Sequence, residues 1–358
     1  MKSTGTIAVA MSGGVDSSVT AWRLKEQGFD VVGVSFDVFG PGTIQGAGKA
    51  GDVRKRDVEA VCSHLGIDVH FLSFGALFES RVVKPFVEAY SSGATPNPCI
   101  LCNQTVKFGA LMDFALEKGF AGVATGHHAR IDFKDGRYRL LPGHDKGKDQ
   151  SYFLYPLTQE TMALAQFPIG DLTKDEVRVL AAKAGLPVAE KRDSQEICFV
   201  PNDDYVGFLE GCGGVSTLPG KIVMADGTVL GEHNGLHRYT IGQRKGLGVA
   251  WRHPLYVVDK RQEVGELVVG DHEDLACQVV EAVRPVWTRG SAARQGEMLE
   301  ARIRYRSPAR PAVVEEVEEG WVKVRFVEPV FGVATGQSLV LSDGEEVVGG
   351  AWITAAHR

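Results

Sequence analysis

No stretch of this sequence is built to cross a bilayer, since no run approaches the ~18–20 apolar residues that a spanning helix needs. Its first residues, MKSTGTIAVAMSGG, lack the basic start, long apolar stretch and small-residue cleavage site of a secretory leader. These absences lead us to expect a cytoplasmic protein with no membrane partner. Cysteine is scarce, with six in 358 residues. In a reducing compartment so few thiols do not make a disulfide framework, and any that pair are catalytic, redox-active or metal-binding. Basic charge is not in excess either. The net charge of −6 argues against an indiscriminate nucleic-acid binder. No G-x-x-x-x-G-K-[ST] occurs, which excludes a Walker phosphate loop. Tandem repeats and low-complexity segments are absent.

What is present is an ordinary globular composition, 44% hydrophobic and 23% charged, in a chain long enough for two or three domains. Residues 1–205 alternate strand and helix signals and predict a parallel sheet. TIAVAM (6–11), DVVGVSF (30–36), IDVHFLSF (67–74) and FAGVATG (120–126) read as strands. DSSVTAWRLKEQG (16–28), RDVEAVCSHLG (56–66), FGALMDFALEKG (108–119) and TKDEVRVLAAKAG (173–185) read as helices, the last with a capping box from Thr173 and Glu176. RIDFKDGRYRLL (130–141) reads as a hairpin turning at Asp135-Gly136. GAGKAG (46–51) matches G-x-G-x-x-G but lies well beyond the preceding strand, so it reads as a flexible loop and not a dinucleotide fingerprint. Beyond 205 short strands alternate with DG, EG and charged turns, and no amphipathic helix of any length is expected. We expect a domain at 1–205, a central β-rich domain at 206–278 and a C-terminal β-barrel at 279–358.

The chemistry starts at AMSGGVDSS (10–18). A strand ends at Met11, a helix begins near Asp16, and Ser12, Gly13 and Gly14 lie between them. Glycines there let backbone N–H groups face an anion, and the helix N-terminus adds partial positive charge. Asp16 is placed to orient the loop or to hold a magnesium ion. In TPNPCILCN (95–103), Cys99 and Cys102 form a Cys-x-x-Cys pair. Its spacing alone fits half a zinc site, a redox disulfide, a cluster corner, or a nucleophile with a helper. No second Cys-x-x-Cys is present to complete a zinc site. From Arg284 to Arg310 seven arginines face Glu297 and Glu300, either as a phosphate-binding stripe or as a solvated strand face.

AMSGGVDSS resembles the SGGxDS pyrophosphate loop of the ATP-pyrophosphatase superfamily, which cleaves ATP to AMP and pyrophosphate while adenylating an oxygen. VATGHHAR (123–130), GKDQSYFLY (147–155) and RDSQEICFV (192–200) agree with it, together with TPNPCILCN. With GLHRYTIGQRKGLGV (235–249), RYRSP (304–308) and GQSLV (336–340), they resemble the tRNA-uridine 2-sulfurtransferases, the MnmA family of 2-thiouridylases, over nearly the whole chain.

The resemblance implies an adenine nucleotide alpha hydrolase-like catalytic domain followed by two β-rich domains. ATP, with Mg2+, would adenylate O2 of the wobble uridine in tRNAs resembling those for Lys, Glu and Gln, and sulfur would then displace AMP. The implied ATP-binding residues are Ala10, Met11, Ser12, Gly13, Gly14, Val15, Asp16, Ser17, Phe36 and Gly126. Cys198 would carry a persulfide and Cys102 would be its partner nucleophile. Asn97, Pro98 and Cys99 would meet the target base. Some members carry Asp at the position of Cys99 in a general acid/base role, which a thiol fills less well. The three thiols are also a candidate ligand set for a [4Fe–4S] cluster. His127, Lys148, Asp149, Gln150, Arg304, Tyr305 and Gln337 would contact tRNA. The implied partners are tRNA and a sulfur-donor protein, a cysteine desulfurase or relay protein, and the protein is expected to be a monomer. Two other readings compete: a synthetase or amidotransferase adenylating a small carboxylate, and a non-catalytic RNA- or nucleotide-binding protein.

Overall fold

The structure is a computed structural model that describes residues 5–37, 47–192 and 197–357. Its first half is built from β1 (Ile7–Ala10), α1 (Val15–Glu26), β2 (Val31–Asp37), α2 (Ala47–Leu65) and β3 (Val69–Ser73). The helices α3 (Gly75–Phe78), α4 (Lys84–Ser91), α5 (Pro98–Cys102) and α6 (Leu111–Glu117) follow, with Glu79–Val83 and Asn103–Ala110 wound as π-helix. Then come β4 (Gly122–Ala124), the hairpin β5 (Ala129–Lys134) and β6 (Arg137–Pro142), α7 (Gln159–Leu164), β7 (Ala165–Gln166) and α8 (Lys174–Lys183).

Five of these strands form an all-parallel sheet in the order β3-β2-β1-β4-β7. The chain leaves β1 toward one side and returns to β4 on the other, so the strand order reverses between these two. Open α/β sheets bind ligands at such a switch point, beyond the carboxyl ends of the strands. Near-continuous apolar sequence in β1, IAVA, suits a strand covered on both faces. The capping box of α8 forms as expected, Thr173 accepting from the Glu176 N–H and Glu176 from the Thr173 N–H.

GAGKAG departs from its expectation. Ala47–Leu65 is one helix, so residues 47–51 are helical. The apolar spacing of Val58, Val61, Cys62 and Leu65, all buried against α1 and β2, supports a helix long enough to carry two glycines at its start. Gly46 lies outside the described residues.

Beyond α8, helix α9 (Tyr205–Gly211) precedes the strands and departs from the all-β expectation. Its Phe208 and Leu209 bury against Phe86 and Phe199 of the first domain. The strands β8 (Gly220–Met224), β9 (Val229–His233), β10 (Tyr256–Arg261) and β11 (Glu266–Gly270) make a sheet in the order β10-β11-β8-β9. The last six are β12 (Ala276–Val286), β13 (Met298–Arg302), β14 (Arg310–Glu318), β15 (Trp321–Phe331), β16 (Ser338–Asp343) and β17 (Glu346–His357). They run β12-β15-β14-β13-β16-β17, and β12 pairs back to β17, closing a six-stranded barrel.

The barrel is seated on the first domain. Hairpin β5–β6 turns through Asp135 and Gly136, both at positive φ, and joins the barrel sheet through Leu140 and Val347. Tyr152 and Tyr155 are buried in the seam. Tyr152 donates to the Ser338 carbonyl at 2.9 Å, and Thr288 donates to the Tyr155 carbonyl at 2.8 Å.

Candidate active site

The loop between β1 and α1 lies at the switch point. Gly13 has φ +69, and a Cβ there would stand 3.0 Å from the Asp57 Cβ and 3.2 Å from the Arg54 carbonyl of α2. The loop is laced internally: Ser12 N–H donates to Ser17 Oγ, while the Ser17 and Ser18 hydroxyls donate to the Gly14 carbonyl. Lys191 Nζ caps it from outside, donating to the Gly13 carbonyl at 2.8 Å and to Asp57 at 2.6 Å. Ala10, Met11 and Val15 belong to the strand end and helix start that hold the loop, Met11 and Val15 being buried.

Asp16, in the first turn of α1, receives the Lys174 ammonium at 2.5 Å, with His128 Nε2 at 3.7 Å from the same oxygen. Burial pushes its carboxyl up, but His128 and Lys174 outweigh that and hold it below the ordinary value. Gly126, at the end of β4, faces this turn so closely that a Cβ would lie 2.8 Å from the Asp16 carbonyl carbon and the Ser17 nitrogen. Phe36, at the end of β2, is half-buried against Phe74.

His127 follows Gly126 and is buried between Phe108 and Phe167. Lys107 Nζ lies 3.3 Å from its Nε2, and Thr125 Oγ1 lies 2.6 Å from its Nδ1. An ammonium can only donate, so Nε2 accepts and the ring proton sits on Nδ1. Burial, then the Lys107 charge, push His127 well below the usual imidazole range, so it is neutral.

Asn97 caps α5, its Oδ1 accepting from the Cys99 N–H at 3.2 Å, and Pro98 fills the first helical position. Cys99 faces outward, whereas Cys102 points into an aromatic cluster of Phe78, Phe86, Phe199 and Phe208. The same cluster takes up Ile197 and Phe199 on either side of Cys198. Burying a ring the size of Phe199 is worth about 2–3 kcal/mol. It anchors this segment while leaving the intervening Cys198 thiol exposed. Cys198 thus lies within electrostatic reach of the neighbouring Cys99 and Cys102, although it is 96 positions beyond Cys102 in sequence. Although Cys99 keeps solvent access, desolvation by the surrounding protein pushes its thiol up to about 11, with Cys198 adding to this and Lys107 opposing it. Cys102 goes up to about 12 through burial, opposed by Lys107 and reinforced by Cys198 and Cys99. All three are free thiols. Among the described residues no three His, Cys, Asp or Glu side chains are arranged to hold a metal ion. Residues 193–196 of RDSQEICFV lie outside the described residues.

The residues expected on tRNA divide. Arg304 is exposed. Tyr305 is half-buried, its ring 4.4 Å from that of Phe153. Lys148 is half-buried, its N–H donating to the Asp145 carbonyl. Asp149 is buried, and its carboxylate accepts from the Gly143 and Ser151 N–H groups and the Ser151 hydroxyl, with Arg302 at 3.4 Å. Gln150 accepts from the His128 N–H. Gln337 donates to the Thr95 carbonyl. Asp149, Gln150 and Gln337 thus hold the loops of the site. Lys107, Lys174, Lys191 and Thr125 escaped the sequence reading, because lone polar residues in helices and strand ends carry no motif. The capping box beginning at Thr173 was the one signal beside Lys174.

Three family models match the chain: a tRNA methyl transferase HUP domain over residues 5–202, a tRNA methyl transferase PRC-barrel domain over 207–271, and an aminomethyltransferase beta-barrel domain over 278–353. The tRNA-specific 2-thiouridylase MnmA of Geobacter metallireducens is 47% identical over 359 residues, covering 98% of this chain and 97% of that protein. The namesake from Pelobacter propionicus is 46% identical, covering 98% of each. Among solved structures, a 4-thiouridine synthetase–RNA complex with bound ATP aligns with 58% of this chain and 50% of its own, at 18% identity and a TM-score of 0.37.

Proposed function

Because this chain belongs to the MnmA family of tRNA-specific 2-thiouridylases, which are tRNA sulfurtransferases, we propose that it adenylates a tRNA uridine with ATP and then replaces the activated oxygen with sulfur. One contiguous arrangement supports this reading most. Asp16 of the phosphate loop abuts Gly126, His127 follows it, His127 holds Lys107, and the Lys107 charge acts on the thiols of Cys99 and Cys102. In this reading the loop that takes ATP and the thiols that supply the nucleophile belong to one region of the first domain.

The chemistry requires both. Uracil C2 is a poor electrophile until its oxygen becomes a leaving group, and adenylation by ATP achieves that with loss of pyrophosphate. In our reading Ser12, Gly13, Gly14 and Ser17 receive the phosphates. Asp16 is the carboxylate on hand for Mg2+, which binds with phosphates through one or two carboxylates. The terminal sulfur of a persulfide on Cys198, charged by a sulfur-donor protein, then attacks C2 and displaces AMP. Cys102 attacks the persulfide's inner sulfur, leaving a Cys102–Cys198 disulfide for external reductant. The wobble uridine of tRNAs resembling those for Lys, Glu and Gln is the proposed target, in keeping with the exposed Arg304 and the Tyr305 ring at the barrel face.

The family models carry methyl transfer in their names, but methyl transfer from a sulfonium donor needs neither a pyrophosphate loop nor gathered thiols. Asp16→Ala tests the reading. It should abolish pyrophosphate release from labelled ATP in the presence of tRNA while filter-binding shows tRNA affinity retained. Equal loss of both would break the division of labour between loop and barrel. Cys99→Ser separates the persulfide route, in which it is only partly impaired, from a cluster route, in which it is as inactive as Cys102→Ser.

A further inference from the structure

The phosphate loop is tied down by a residue to which the proposed reaction assigns no part. Lys191 follows α8 and lies 178 positions from Gly13, yet its Nζ donates to the Gly13 carbonyl at 2.8 Å and to Asp57 Oδ2 of α2 at 2.6 Å. The side chain starts from a fixed backbone. Lys191 N–H donates to the Val188 carbonyl at 3.0 Å, and the Lys191 carbonyl accepts from the Arg178 guanidinium of α8 at 3.2 Å. No cis peptide bond occurs among the described residues, and a trans peptide unit points its C=O and its N–H in opposite directions. Holding the Gly13 carbonyl on Lys191 therefore turns the Gly14 N–H away from Lys191 and Asp57. A peptide unit between two glycines rotates easily unless something holds it. Gly14 is the N-cap of α1 and has no side-chain cap. Its N–H is thus left, with the open N–H groups of the first helical turn, to meet an anion.

We propose that Lys191 is a positioning residue of the phosphate loop. It sets the Gly13–Gly14 peptide so that the Gly14 N–H meets the pyrophosphate part of ATP, and Asp57 holds the ammonium in place for this. The inference rests on the loop being the site of ATP, as proposed above. A lysine that touched the phosphates itself would behave differently in one respect. Removing the Asp57 charge frees the ammonium and makes its surroundings more positive. Direct contact with phosphate would then tighten anion binding. A lysine that acts through the Gly13 carbonyl loses its tether instead, and binding weakens.

The test is isothermal titration calorimetry of the purified full-length protein with ATP, with inorganic pyrophosphate and with AMP. Lys191→Met should weaken ATP and pyrophosphate about tenfold, the loss of about one aligned donor to a charged group, and leave AMP within about twofold. Lys191→Arg keeps donors for both acceptors and should restore ATP affinity to within about threefold. Asp57→Asn should weaken pyrophosphate about threefold or more, although it removes a negative charge beside the loop. Circular dichroism checks that each variant is folded, and Lys191→Gln provides a second neutral variant should the Met variant not be. Unchanged ATP and pyrophosphate affinities in a folded neutral variant, an equal loss of AMP, a defect that Arg does not rescue, or unchanged or tighter pyrophosphate binding by Asp57→Asn overturns this inference alone. Wild-type protein that binds neither ATP nor pyrophosphate overturns the reading of the loop, and this inference with it.

Discussion

Gln337 reaches out of the barrel and donates its side-chain amide to the Thr95 carbonyl at 2.7 Å, just ahead of the turn that carries Cys99 and Cys102. The backbone reinforces the link, because Thr95 N–H donates to the Thr335 carbonyl at 2.8 Å. The barrel therefore holds the cysteine loop directly. A neutral hydrogen bond of this kind is worth about 0.5–1.5 kcal/mol. Gln337→Ala should lower the thiolation rate at saturating tRNA about fivefold and leave ATP affinity unchanged. A loss confined to tRNA affinity, with the saturated rate intact, would place Gln337 on the RNA and not on the loop.

Gly126→Ala is the sharpest probe of the phosphate loop. The new methyl would lie 2.8 Å from backbone atoms of Asp16 and Ser17, so the first turn of α1 must move. Pyrophosphate release should fall by about a hundredfold or more, as misplacement by about 1 Å costs in a positioned site, while tRNA binding holds. Wild-type turnover in the alanine variant would mean that the loop tolerates displacement and is not the site of ATP.

How much of this was legible beforehand depends on the kind of signal. The phosphate loop, the capping box and the Asp135-Gly136 turn are local rules, and each appears where its residues predict it. Long-range partnerships were not legible. Nothing in GKDQSYFLY announces that Asp149 spends its carboxylate on Gly143 and Ser151, or that Tyr152 crosses to Ser338. The helices at 75–91 escaped because a π-wound stretch there breaks the 3.6-residue period. Lys107 was not legible either, because a lone lysine carries no motif and its partner His127 lies on another element.

Arg304 tests the RNA face. Its backbone N–H and carbonyl are tied to Ser307, which leaves the guanidinium exposed at the junction where Gly242 and Gly332 approach. Arg304→Ala should weaken tRNA binding and reduce the log–log salt slope by about one. An unaltered slope would show that no phosphate meets this residue.

Barrel stability has its own pH signature. Arg289 engages Glu297 through both oxygens, at 2.6 and 2.8 Å, and this pairing lowers the Glu297 carboxyl to about 2. A depressed carboxyl contributes stability that is fully present above its unfolded value near 4.5 and is lost as pH falls toward 2. Discounted for solvent screening, the contribution is about 1–2 kcal/mol. Glu297→Gln should therefore lower the melting temperature at pH 7 and converge with wild type near pH 2–3. A constant difference across that range would contradict the pairing.

The central claim is that ATP activates the tRNA before sulfur arrives through Cys198 and Cys102. The most direct measurement is a single turnover of Cys198→Ser with labelled ATP, tRNA and a sulfur donor, following pyrophosphate, AMP bound to tRNA, and sulfur in tRNA. The account predicts about one pyrophosphate per active site, AMP accumulating on the tRNA, and no thiolated uridine. Thiolation at the wild-type rate, or no adenylation at all in a folded variant that still binds ATP and tRNA, would contradict it.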